Sequence, residues 1–417
     1  MDQQARPSFY SSLALILAII LVVTGLRTYQ LIHQTTGGDD LLLSDIPKSI
    51  MLLHGRDPYS VQPWSAPYPL LLFVVVASII QVTSSSLVQS PAAIAVVDQN
   101  VRVAGIFASA LVSIIIFLSL RFRVGGGIRA LVPASLFVTL PAISITPLYW
   151  FHSDIFGYPI LALSLFLLTR RHYFAGTNLL AVAAIYKVHP ILTLPLVLVW
   201  LGRRHGLKET LPVVITSTTV VSLGLILPFM VPGYTQAMVS FNLANTGTGT
   251  NTFSILNLLY GILPSLGFKI ATTITNGVWI ASTAVLFVII LQIVWRHADS
   301  MDPIQCVLLG LTVWLIPLKM LFTPYMVWAF IPIFMLGKFR QAIFLAGILQ
   351  AADTLAYWSY FPIYSPILAL GSVYGFFITS LVYLMLSVLT LRMALKFRNT
   401  ETLARPISVP QLSPLAY

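Results

Sequence analysis

The chain has 417 residues, of which 58% are hydrophobic and only 8% charged, with a formal net charge of +11. A mean hydropathy of +0.90 excludes an ordinary soluble domain, and the apolar runs recur at roughly the 20-residue length that crosses a bilayer. The basic excess does not point to nucleic acid, because Lys and Arg flank the apolar runs in the positive-inside pattern. A single cysteine, Cys306, excludes an internal disulfide or a Cys-rich metal site.

Lipid tolerates only helices or closed barrels. The runs lack strand-type alternation, so the expectation is an all-α polytopic membrane protein. The first run, about Ser11 to Ile32, is too long for a signal peptide and is expected to stay as an anchor. Arg6 before it places the N-terminus in the cytoplasm and residues 34–67 outside. In that loop Ser44 is expected to cap a short helix, with Asp45 in its first turn and Pro47 tolerated there. Ile46, Ile50 and Leu53 share a face, which predicts an amphipathic helix at the interface that ends at Gly55. Asp57-Pro58 then marks a turn.

The next run, Tyr68 to Val82, is read as juxtamembrane or re-entrant. The run from about 101 to 120 must enter from outside, because Arg121, Arg123 and Arg129 mark a cytoplasmic turn. Later cytoplasmic marks are Arg170-Arg171, Arg203-Arg204, Arg296, Lys338 and Arg340, and Arg392 onward. This threading puts 16 basic and 5 acidic residues inside, and 7 of each outside or within the membrane. It predicts about twelve crossings (10–13). One integral domain spans 1–396, with its first outer loop at 34–67, and 397–417 is a loose cytoplasmic tail.

The remaining charges gather in islands on the predicted outer side, where each needs a reason. Asp39 and Asp40 lie just past the first crossing. A carboxylate at the hydrocarbon boundary has its pKa raised by desolvation, which suits a general base. Asp40 is the first candidate, with Asp39 and Asp45 behind it. Lys187, Lys319 and Arg56 are cations placed outside against the positive-inside rule, and His189 accompanies Lys187. His152 and Asp154, two residues apart with no third ligand, suit a hydrogen-bonded pair better than a metal site.

The order Asp40, Gly55-Arg56-Asp57-Pro58-Tyr59, Tyr68-Pro69-Leu70-Leu71 resembles the first outer loop of the lipid-linked-sugar-dependent mannosyltransferases of the glycosyltransferase C superfamily. Phe151-His152-Ser153-Asp154 is similar to that family's Gly-His/Gln-x-Asp element, with Phe151 in place of Gly. Arg170-Arg171, Ala175-Gly176 and Ala181 to Pro190 resemble its basic turn, Ala-Gly helix and Lys-x-x-Pro end. Lys319, Pro324-Tyr325, Trp328 and Pro332 resemble its late Ser-Pro-x-Tyr-x-x-Trp-x-x-Pro element. The resemblance spans roughly residues 39–332.

It implies a glycosyltransferase C-like fold and a polyprenyl-phosphate-hexose donor, mannose first, with a lipid or glycan acceptor. It also implies Lys187, Lys319, Arg56 and His189 as contacts to the donor phosphate, Tyr325 and Trp328 as substrate contacts, and an active site on the outer face of the plasma membrane. No cofactor is expected, nor any nucleic-acid partner. The competing reading is a transporter or lipid-linked-glycan flippase. Against it, the charges collect at one face rather than at the midplane, and no inverted repeat is evident.

Overall fold

The computed structural model describes residues 9–33, 44–60, 68–84, 94–124, 127–144, 153–244, 272–317, 323–360 and 373–396. Among them all regular structure is helical. The first helices are α1 (Phe9–His33), α2 (Ile46–Leu53), α3 (Leu70–Ser84), α4 (Ile94–Val124), α5 (Ile128–Thr139) and α6 (Pro141–Ser144). A 3-10 turn, Ser153–Phe156, leads into α7 (Gly157–Thr169), which is followed by α8 (Tyr173–Tyr186). A second such turn, His189–Leu192, leads into α9 (Thr193–His205), then α10 (Leu207–Ile226), the turn Leu227–Met230 and α11 (Pro232–Ala244). The remainder is α12 (Thr272–His297), α13 (Pro303–Leu315), α14 (Thr323–Met335), α15 (Phe339–Tyr360) and α16 (Val373–Ala394).

Four helical stretches are long and apolar enough to cross a membrane: Tyr10–His33, Ile94–Val124, Leu207–Met230 and Gly277–Ser300. Several shorter apolar helices accompany them, α7, α8, α13 and α14 included. The interior is built on α4, α7, α13 and α14, where side chains such as Phe117, Tyr158, Leu309 and Trp328 are fully or almost fully buried. α10 and α12 instead lie at the periphery and leave large apolar side chains exposed, among them Leu211, Ile215, Val285 and Val288.

The two ends of the bundle differ in chemistry. At one end the residues of the expected cytoplasmic turns bond to each other. Arg123 pairs with Asp302 at 2.6 Å and donates to the Met335 carbonyl. Gln305 and Lys338 reach the last carbonyls of α16, and Trp200 donates to Met301 O. Asp302 also starts α13 with a capping box, accepting from Ile304 N while Gln305 accepts from the Asp302 amide. Asp302→Ala removes that cap and the Arg123 pair together. It is expected to cost about 1–2 kcal/mol, read by thermal unfolding in detergent.

The opposite end gathers the residues of the expected outer islands. The eight Asp, Lys and Arg side chains buried among the described residues are Arg27, Asp45, Lys48, Asp98, Arg102, Asp154, Lys187 and Asp353. By position along their elements, all eight belong to this half.

α3 has both ends anchored there. The Tyr68 carbonyl just before it accepts from Tyr59, and Ser84 at its end accepts from Asn100 near the start of α4. Its 15 residues reach about 22 Å. α4 starts earlier than its apolar run suggests, because Asp98 and Arg102 pair within it and carry the helix past two charges. Arg102 Nε donates to both Asp98 carboxylate oxygens, at 3.0 and 2.9 Å.

α2 closes at Gly55, whose φ of +67° only glycine adopts freely, and the Arg56 amide reaches back to Met51 O. Its face differs from the expected one. Asp45, Ile46, Lys48 and Ser49 are buried, while Ile50, Leu52 and Leu53 are only half-buried. The polar stripe therefore faces the protein, since charged side chains are better solvated by the polar end of the bundle than by lipid. The cap expected from Ser44 is not made either, because helical backbone already begins at Asp45.

Candidate functional site

Four elements converge where α7 begins and α8 ends. α8 stops at Tyr186, and Lys187 is extended, at φ −143° and ψ 132°. Pro190, three residues on, prevents the helix from continuing. The break turns the Lys187 side chain inward, where its ammonium lies 2.8 Å from Asp154 Oδ2. The other carboxylate oxygen, Oδ1, accepts from the Trp328 indole on α14 at 2.7 Å. His189 Nε2 stands 3.8 Å from the same oxygen. Asp154 is fully buried and so serves as the hub for a cation, an indole and an imidazole.

The surroundings hold this hub in one arrangement. Tyr186 donates to Ser153 O at 2.6 Å, fixing the 3-10 turn against the end of α8. Tyr158 donates to Pro324 O at 2.8 Å, fixing α7 against the start of α14. Gly157 makes the close approach possible. A Cβ there would lie 2.5 Å from the Trp328 ring and 2.7 Å from Tyr186, so only glycine lets the indole reach Asp154.

An aromatic wall encloses the cations. The Lys187 ammonium lies 3.6 Å from the centre of the Tyr68 ring, a cation–π contact. Lys48 on α2 stands over Tyr59 and Phe73, 5.7 and 5.3 Å from the ring centres. The two seats are joined, because the Tyr59 hydroxyl donates to Tyr68 O at 2.8 Å. Burial pushes the Tyr59 phenol well above its usual value, with Tyr234 and Asp57 adding to the effect. It thus stays an O–H donor at physiological pH. The His189 ring meets Tyr325 at 4.3 Å and Trp314 at 5.7 Å. Tyr325 is only partly buried, so this edge is the more accessible side of the cluster.

Asp154, Lys187, His189, Tyr325 and Trp328 are thus brought into one cluster. Asp45, just before α2, is fully buried as well. Arg56 is exposed, just after the Gly55 that closes α2. Asp39, Asp40, His152 and Lys319 lie outside the described residues.

Sequence reasoning missed Lys48, Arg27 and the Asp98–Arg102 pair. Lys48 reads as a surface lysine, although a cation three residues after Asp45 on one short helix was a usable sign. The acid–base pair at i, i+4 inside an apolar run was a clearer one. Arg27, which donates to Thr139 O at 3.3 Å, gives no such sign.

Chemically the cluster is a buried, low-dielectric group built on a fixed cation and its carboxylate, in which electrostatic contacts are stronger than in water. Among the described residues no group of three His, Cys, Asp or Glu side chains is arranged to hold a metal ion. A scan against protein-family models finds no match, and a search of the curated proteins finds none.

Proposed function

We propose that the chain is a membrane glycosyltransferase that moves a hexose, mannose first, from a polyprenyl-phosphate donor to a lipid or glycan acceptor with inversion. The observation that carries this reading is the meeting of Asp154, Lys187, His189, Tyr325 and Trp328 at the end of the bundle assigned to the outer side. In the proposed reaction an acceptor hydroxyl attacks the anomeric carbon. An outer-loop aspartate takes its proton, and the bond to the lipid phosphate breaks with the electron pair leaving on oxygen. Charge growing on that phosphate is the quantity that fixed cations stabilise most.

Asp40 remains the first candidate for the base, with Asp39 and Asp45 behind it. Lys187, Lys319, Arg56 and His189 are the proposed phosphate contacts. Asp154 and Tyr68 hold Lys187 in a fixed place, and preorganisation of this kind removes the cost of reorienting the cation during the reaction. Tyr325 and Trp328, with His152 and Asp154, form the proposed sugar-facing side. The proposal includes a glycosyltransferase C-like bundle of about twelve crossings in the plasma membrane. Both termini would be cytoplasmic, as the flanking Lys and Arg favour.

The test uses the purified protein in liposomes with radiolabelled polyprenyl-phosphate-mannose and native-membrane lipids. Wild type, Asp39→Asn, Asp40→Asn and Asp45→Asn are compared for transfer of label to a new product. Transfer that survives two of the changes and vanishes in Asp40→Asn is the expected result. Loss in Asp45→Asn alone would move the base onto α2.

A further inference from the structure

α11 is attached to the rest of the protein in an unusual way. Its main contacts with other elements are with the 3-10 turn Leu227–Met230 just before it. Its N-terminus is capped from elsewhere in the chain: Asp57 Oδ2 accepts from the Gly233 amide at 2.7 Å, a contact spanning 176 residues. The other oxygen, Oδ1, accepts from the Tyr59 amide at 2.8 Å, so one carboxylate ties the first outer turn to the first turn of α11. A negative charge at that position also complements the positive end of the helix dipole.

Fit is close on both sides of this clasp. A Cβ at Gly233 would lie 2.6 Å from Asp57 Oδ2 and 3.1 Å from the Tyr59 backbone. Tyr234 packs edge-on against Tyr59 at 4.8 Å, and against Phe229 at 4.9 Å. Tyr234 and Ala237 supply the buried face of the helix. Tyr59 in turn holds the Tyr68 carbonyl, and the Tyr68 ring covers the Lys187 ammonium. α11 therefore presses on the residue that fixes the cover of the buried cluster.

We propose that α11 is a strap, hinged at the 3-10 turn before it and held closed by Asp57, whose release uncovers the Tyr59–Tyr68 pair and with it the way to Lys187. The observations behind it are the long-range cap, the tight seat at Gly233 and the scarcity of other helix contacts among the described residues. It does not depend on the proposed chemistry.

Thiol labelling in the full-length protein tests this directly. Cys306, the chain's single cysteine, is fully buried, so the wild-type background is silent. A reporter is placed at Ala237→Cys on the buried face of α11, and a control at Ala181→Cys inside α8. A water-soluble maleimide should label both slowly. Asp57→Ala is expected to raise labelling at the reporter about tenfold or more, by removing a charged acceptor from a locally opening unit, while the control stays protected. Gly233→Ala should do the same without altering any charge, because its methyl group displaces Asp57. Unchanged reporter labelling in both variants would overturn the strap. So would equal gains at reporter and control, since the clasp would then belong to global folding rather than to a local opening.

Discussion

Asp154→Leu is expected to lower stability by about 3–5 kcal/mol, because it leaves the Lys187 ammonium buried and uncompensated. The Trp328 indole loses its acceptor in the same change, which adds about 1 kcal/mol. Thermal or denaturant unfolding in detergent reads the loss. The informative variant is the double one, Asp154→Leu with Lys187→Met. Removing both charges replaces a buried pair by apolar side chains, an exchange that is often neutral, so much of the stability should return. Transfer activity should not return, because the fixed cation and its carboxylate are both gone. Recovery of stability and activity together would reduce the pair to a structural role.

The Asp98–Arg102 pair supplies the matching control and the second large effect. Both side chains are buried, and the guanidinium is held on one carboxylate within α4. Arg102→Met alone should cost about 3–5 kcal/mol by stranding Asp98. Asp98→Leu with Arg102→Met should return close to wild-type stability, and here transfer should return with it. Measured side by side, the two pairs separate charge kept for packing from charge kept for chemistry. If both double variants lost transfer despite stable folding, Asp98–Arg102 would join the site.

The elements legible in the sequence were those written as apolar runs with a clear stop. The first run, Ser11 to Ile32, matches α1 at Phe9–His33 to within two residues at each end. The short α3 was legible as an apolar helix, from Pro67-Tyr68-Pro69 before it and the serines after it. α2 was legible as a helix, but its orientation was not. Ile46, Ile50 and Leu53 set the expected face, whereas solvating Asp45 and Lys48 at the polar end of the bundle decided the real one. α4 was read as starting at about 101, whereas pairing of Asp98 with Arg102 lets the helix begin at Ile94.

The site was legible as an ordered set of residues rather than as a geometry. Asp154, Lys187 and His189 are close enough in sequence to suggest a neighbourhood. Nothing in the spacing to Trp328, 174 residues from Asp154, says that its indole meets that carboxylate. Gly157 carries the only local sign of it, since a glycine at the head of an apolar helix marks a close approach. The seat of Lys48 was harder to read, because its environment comes from Tyr59 and Phe73, which two different segments supply.

Donor consumption by the wild-type protein in liposomes bears most directly on the central claim. With radiolabelled polyprenyl-phosphate-mannose and native lipids present, the account predicts loss of the donor, appearance of label in a new product and release of polyprenyl phosphate. An intact mannosyl donor would contradict the mannose assignment. Survival of every polyprenyl-phosphate sugar offered would contradict the transferase itself and bring forward a transporter or flippase.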